Sequence, residues 1–120
     1  MLINLSNHPS TAWSAVQLDA ASVYGEIVDY PFPSVDPEAT EDNIEDMANT
    51  IINDIANKYD MGNLTIHLMG EFTLTEALLI RFRELRIPCV ASTTRRNVVE
   101  TEDGKKIVEF KFVRFRRYAN

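Results

Sequence analysis

Short apolar runs alternate three times with stretches whose hydrophobic residues recur at helical spacing, and the series ends in a tight Asp-Gly turn. Few folds accept that order. Residues 1–5 read as a strand, broken at Ser6-Asn7-His8-Pro9. Residues 11–24 then set Trp13, Val16, Ala20 and Val23 on a helical stripe closed by Gly25. A second strand, 26–30, stops at Pro31 and Pro33, and an acidic connection leads to a helix over 41–59 with Ile44, Met47, Ala48, Ile51, Ile55 and Tyr59 on one face. The third strand covers 64–69, the third helix 74–86 and the fourth strand 89–92. From Asn97 the pattern becomes a β-hairpin, with strands 98–101 and 106–115 around the Asp103-Gly104 turn pair. Right-handed crossovers place such strands in a parallel sheet covered on both faces. The expected fold is therefore α/β: a small Rossmann-like three-layer sandwich, mainly parallel, with a C-terminal antiparallel β-hairpin. At 120 residues it forms a single domain, 1–120.

Charge is unevenly spread. Residues 1–60 hold eleven acids against Lys58 alone, whereas residues 61–120 hold eleven Lys or Arg against seven acids. A net charge of −6 argues against binding long nucleic acid, yet leaves room for a small anion at a local basic site. No apolar run is long enough to cross a membrane and no secretory signal opens the chain, so a cytoplasmic protein is expected. The single cysteine, Cys89, sits in an apolar run and reads as a buried, inert thiol.

The loops after the first, third and fourth strands form the expected functional edge. In the segment 64–76, a strand runs through Met69-Gly70-Glu71 into a helix start where Thr73 and Glu76 match a capping box. The remaining first-turn amides, with the positive end of the helix dipole, suit an anion. Gly70 allows a ligand close to the backbone, Glu71 suits a ribose hydroxyl or a nearby cation, and Thr75 follows in the first turn. In the first loop, Ser6, Asn7 and His8 offer hydroxyl, amide and imidazole, and His8 is the better candidate base. His67, mid-strand between Ile66 and Leu68, reads instead as a hydrogen-bonded core histidine. Beyond the fourth strand, Ser92, Thr93, Thr94, Arg95 and Arg96 combine hydroxyls with guanidinium groups suited to phosphate. Arg114, Arg116 and Arg117 alternate with Val113, Phe115 and Tyr118 as a solvated edge strand. Neither G-x-G-x-x-G nor a P-loop is present, and two histidines without a cysteine pair give no metal spacing, so neither cofactor nor metal is expected.

On the first loop, the Met69-Gly-Glu-Phe-Thr-Leu-Thr75 helix entry and Ser92-Thr-Thr-Arg95, the chain resembles the CRISPR-associated Rossmann fold (CARF) family. The likeness is to its small stand-alone type III accessory proteins that bind or degrade cyclic oligoadenylate, the ring nucleases. It covers most of the chain as an order of elements, although Glu71 takes space where the family usually has a Gly/Thr-rich turn. The resemblance implies a homodimer around a cyclic adenylate, cleaved without metal by attack of a ribose 2′-hydroxyl on the adjoining phosphorus. It further implies that Arg95 or Arg96 and the amides near Gly70 steady the phosphorane. Ser6, Asn7 and Thr75 would place the ribose, and His8 would assist proton transfer. The apolar third helix, with Leu79 and Ile80 beside the Leu74, Leu78, Phe82 and Leu85 stripe, is compatible with a subunit interface. Two other readings stay open: a protein that sequesters the same ligand uncleaved, and an interaction module with no nucleotide ligand.

Overall fold

The computed structural model describes residues 1–119. Strands β1 (Leu2–Ser6), β2 (Ile27–Pro31), β3 (Thr65–Met69), β4 (Cys89–Glu100) and β5 (Lys106–Arg117) form one sheet in the order β2-β1-β3-β4-β5. The first four are parallel and β5 runs antiparallel to β4. Helices α1 (Ala15–Ala21), α2 (Glu41–Lys58) and α3 (Phe72–Glu84) fill the crossovers, giving the small Rossmann-like sandwich that the alternation implies. None of these helices is long and apolar enough to cross a membrane.

The pleat of β1 divides the interior. Every residue of β1 is buried, since it lies between β2 and β3 with both faces covered. Ile3 and Leu5 join Ile66 and Leu68 against the apolar stripes of α2 and α3, which supply Ala48, Ile51, Ile55, Leu74, Leu78 and Phe82. Each such side chain contributes about 1.5–3 kcal/mol by leaving water. The alternate residues of β1 include Leu2, which packs with Trp13, Ala21 and Val90, and the polar pair Asn4 and Ser6. α2 begins at a capping box between Thr40 and Asn43.

Two elements depart from the sequence reading. The expected first helix over 11–24 is only seven residues long, Ala15–Ala21, between single 3-10 turns, with Ser14 accepting a hydrogen bond from the Gln17 amide as its cap. Trp13 is buried, but Val16 and Val23 are 62% and 80% exposed, so the apparent stripe does not face the core. The second departure is larger. The expected loop at Ser92 to Arg96 does not exist: β4 continues to Glu100, paired with β5 from Val90↔Arg117 to Glu100↔Lys106. β-branched Thr93 and Thr94 suit extended backbone, and a register shift between them absorbs the change of direction.

β3 holds β4 only at Ile66↔Cys89 and His67↔Val90. From Ala91 onward β4 no longer pairs with β3; Ser92 and Phe115 still pack on His67 and Trp13, and from Thr94 the two strands project as a ribbon, reaching roughly 23 Å at about 3.3 Å per residue. The radius of gyration, 16.2 Å, records this arm. A compact chain of this length would have about 13–14 Å.

Candidate functional site at the carboxyl edge of the sheet

The strand order reverses direction between β1 and β3, the place where open α/β sheets gather ligand-binding loops. Ser6 and Met69 are register partners there, so the loops that follow, Asn7 to Pro9 and Gly70 to Glu71, are neighbours. The ribbon rises from the same edge, because β4 is parallel to β3 and continues past its end.

Beneath these loops lies a hydrogen-bonded chain that sequence reasoning did not assemble. Asn4 Nδ2 donates to Asp29 Oδ1 at 2.9 Å and to the His8 carbonyl at 2.8 Å, both of which can only accept. Its Oδ1 therefore receives protons, from the Ser6 hydroxyl at 2.7 Å and from His67 Nδ1 at 2.8 Å. That fixes the tautomer: Nε2 of His67 is left as an acceptor, 2.6 Å from the Ser92 hydroxyl, which in turn accepts from Gln17 Nε2 at 3.1 Å. The His67 ring is boxed by Trp13 and Phe115, at centroid distances of 5.4 and 5.5 Å. Burial, with the nearby His8, pushes its pKa down to about 4. His67 is thus a neutral core histidine, as its place in the strand implies. Burial pushes Asp29 upward, but hydrogen bonds from Asn4 and from the Ser10 amide and hydroxyl outweigh it and hold the carboxyl below its usual range. The chain of bonds pins the first loop and α1 to the sheet.

The helix mouth differs from the expected one. α3 starts at Phe72, and its cap is Glu71, not Thr73 with Glu76. The Glu71 carboxylate accepts from the amides of Thr73 at 2.9 Å and Leu74 at 2.8 Å, and from the Thr73 hydroxyl. These backbone and side-chain bonds hold the Glu71 pKa below its usual value. The donors expected to await a phosphate are therefore occupied by the protein's own anion, and Thr73 helps bind that anion. Gly70 is explained by packing as well: a Cβ there would fall 2.5 Å from the ring of Phe32. The Thr75 hydroxyl is buried without a hydrogen-bond partner among the described residues.

Of the first loop, Asn7 and His8 are exposed, whereas Ser6 is buried with its hydroxyl committed to Asn4. Asn7 lines a cavity of about 230 Å³ with Pro9, Asp29, Pro31 and Phe32. Met69 turns its sulfur toward β4, where the Ser92 amide meets it at 3.3 Å. Thr93 bonds to the Arg114 backbone within the ribbon, and Thr94, Arg95 and Arg96 are exposed along it, opposite Phe112, Lys111 and Phe110. The edge therefore brings together Ser6, Asn7, His8, Met69, Gly70, Glu71, Thr73 and Ser92. Arg95 and Arg96 stand above it on the arm, at the same end of the sheet. Among the described residues no group of acids, histidines or cysteine is placed to hold a metal ion.

Neither curated protein sequences nor solved structures give a match to the chain. A match spanning residues 1–116 is found with one protein family, and the chain belongs to it: the uncharacterized protein MJ1673 family.

Proposed function

We propose that the protein binds a cyclic oligoadenylate at the carboxyl edge of its sheet, as a homodimer, and opens the ring by metal-independent attack of a ribose 2′-hydroxyl. The observation that carries this reading is that the ribbon continues from the same end of the sheet as the loops after β1 and β3. It carries Arg95, Arg96, Lys111 and Arg114 beyond the edge at which Asn7 and His8 are exposed. With Glu71 filling the helix mouth, phosphate is held by the guanidinium groups of the ribbon and not by backbone amides. Asn7 offers bonds to ribose, and the exposed His8 imidazole takes the proton of the attacking hydroxyl. The products are a cyclic 2′,3′-phosphate and a 5′-hydroxyl. Positioning and charge stabilisation supply most of the rate in such a reaction.

Self-association is supported by the ribbon more than by α3. Val98, Val99, Ile107, Val108, Phe110 and Val113 are all 43–66% exposed on it. An isolated two-stranded ribbon is marginally stable in water. Charge complements this: residues 1–90 hold fourteen acids and four bases, residues 91–120 four acids and eight bases, so the arm of one copy is attracted to the body of another.

Purified protein incubated with cyclic tetra- and hexa-adenylate in EDTA should release linear fragments ending in a cyclic phosphate. Intact ring after prolonged incubation, retained at one ring per dimer, would replace cleavage by sequestration, a reading favoured by the neutral, buried state of His67. Absence of binding to either ring would remove both.

A further inference from the structure

At the opposite, amino end of the parallel strands, the last turn of α3, the start of β4 and the end of β5 enclose a cavity of about 310 Å³. Arg83, Arg86 and Arg117 line it together with Leu79, Pro88 and Tyr118, and among the described residues no carboxylate does. Residues 1–90 have only four cations, Lys58, Arg81, Arg83 and Arg86. Lys58 is paired with Asp54 and Arg81 with Glu45; the other two converge here without an ion pair among the described residues, Arg83 donating one bond to the Ala119 carbonyl at 2.7 Å. In a chain of net charge −6, three guanidinium groups around one cavity form a concentrated positive field.

The backbone supplies an independent sign. α3 ends in a Schellman turn, with Ile87 N bonded to the Phe82 carbonyl at 2.9 Å and Arg86 N to the Arg83 carbonyl at 3.0 Å. The residue in the left-handed position of that turn, normally glycine, is Arg86, at φ 59°. It is the only non-glycine residue with positive φ among the described residues. A side chain kept where glycine would relieve strain points to a use for the side chain. The far wall is anchored: Tyr118 N bonds to the Cys89 carbonyl at 3.1 Å and its hydroxyl to the Leu68 carbonyl at 2.5 Å.

We infer that this cavity is a second ligand site, which takes a phosphorylated small molecule of nucleotide size, a nucleoside polyphosphate. Guanidinium forks from Arg83, Arg86 and Arg117 bind the phosphates, and Leu79, Pro88 and Tyr118 receive the base. The site does not depend on the carboxyl-edge reading, since it lies at the other end of the sheet.

The test is calorimetric titration of the full chain with ATP and, separately, with inorganic pyrophosphate. ATP should bind more tightly than pyrophosphate. Arg86→Gly should weaken ATP by about tenfold or more, the loss expected of one charge-assisted contact, while its melting temperature stays equal or rises. Arg117→Gln should weaken it similarly, and Asn7→Ala, at the carboxyl edge, should leave it unchanged. Wild-type ATP affinity in Arg86→Gly, or no binding at millimolar ATP, would overturn the site. Pyrophosphate binding as tightly as ATP would overturn the nucleotide class.

Discussion

The ring of Phe32 occupies the space that a side chain at residue 70 would need, with its carbons 2.5 Å from the ideal Cβ position of Gly70. Gly70→Ala should therefore destabilise by about 1–3 kcal/mol, as overpacking does. Because the clash is with one ring, the loss in a Gly70→Ala, Phe32→Ala double variant should fall short of the sum of the two single losses. Urea denaturation of the four proteins checks this, and strict additivity would refute the packing account.

Glu71 closes α3 with its own carboxylate, so Glu71→Ala should cost about 1 kcal/mol as a lost cap. Glu71→Ser keeps a capping oxygen but removes the charge. In that variant inorganic phosphate should bind more tightly than in the parent, since the amides and dipole of the helix mouth are no longer neutralised from within. Phosphate titrations followed by amide chemical shifts of Thr73 and Leu74 would show it.

Acid should destabilise the protein through His67. Its folded pKa of about 4 lies below the ordinary 6.5, so the unfolded chain takes up the proton first. The contribution of the neutral ring is fully present above pH 6.5 and is lost as pH falls toward 4, amounting to about 3 kcal/mol at most. Glu71, whose folded pKa is also lowered, loses its contribution in the same direction, but beginning lower, near its ordinary 4.5. His67→Gln, which retains an amide for Asn4 and Ser92, should flatten the dependence between pH 6.5 and 4 in melting experiments. An unchanged slope would show that another group carries it.

Phe110, 66% exposed on the ribbon, should matter to assembly and little to the fold of one chain. Light scattering should find a dimer at low ionic strength, weakened by high salt as the attraction between arm and body is screened. Phe110→Lys should yield a monomer with a nearly unchanged melting temperature. A wild-type monomer at every concentration tested would dispose of the arm as an interface.

The sheet was legible because short apolar runs with Gly and Pro punctuation have few alternatives, and Asp103-Gly104 announced the hairpin. Its extent was not. Thr93 to Asn97 is polar and could be loop or strand on local grounds; only the partner strand, twelve to twenty-one residues downstream, makes it ladder. The helix start escapes a local reading for a similar reason. Thr73 and Glu76 fit a capping box, but so does a carboxylate two residues earlier, and Glu71 wins because its oxygens reach two amides and the Thr73 hydroxyl together. His67 reads as a core residue from its place in the strand, yet its link to Asn4 and Ser92 joins three strands and has no signature in spacing along the chain.

The ribbon is in effect a cantilever, fixed at its root by Ile66↔Cys89, His67↔Val90 and the packing of Ser92 and Phe115 on His67 and Trp13, and beyond Thr94 supported by its own ladder. Loads applied at the tip near Gly104 are carried back to the root along one pair of strands, so its outer amides should exchange with solvent while those of β1 remain protected. Anything that clamps the free end would slow that exchange, and the gradient of protection along the arm would give the position of the clamp.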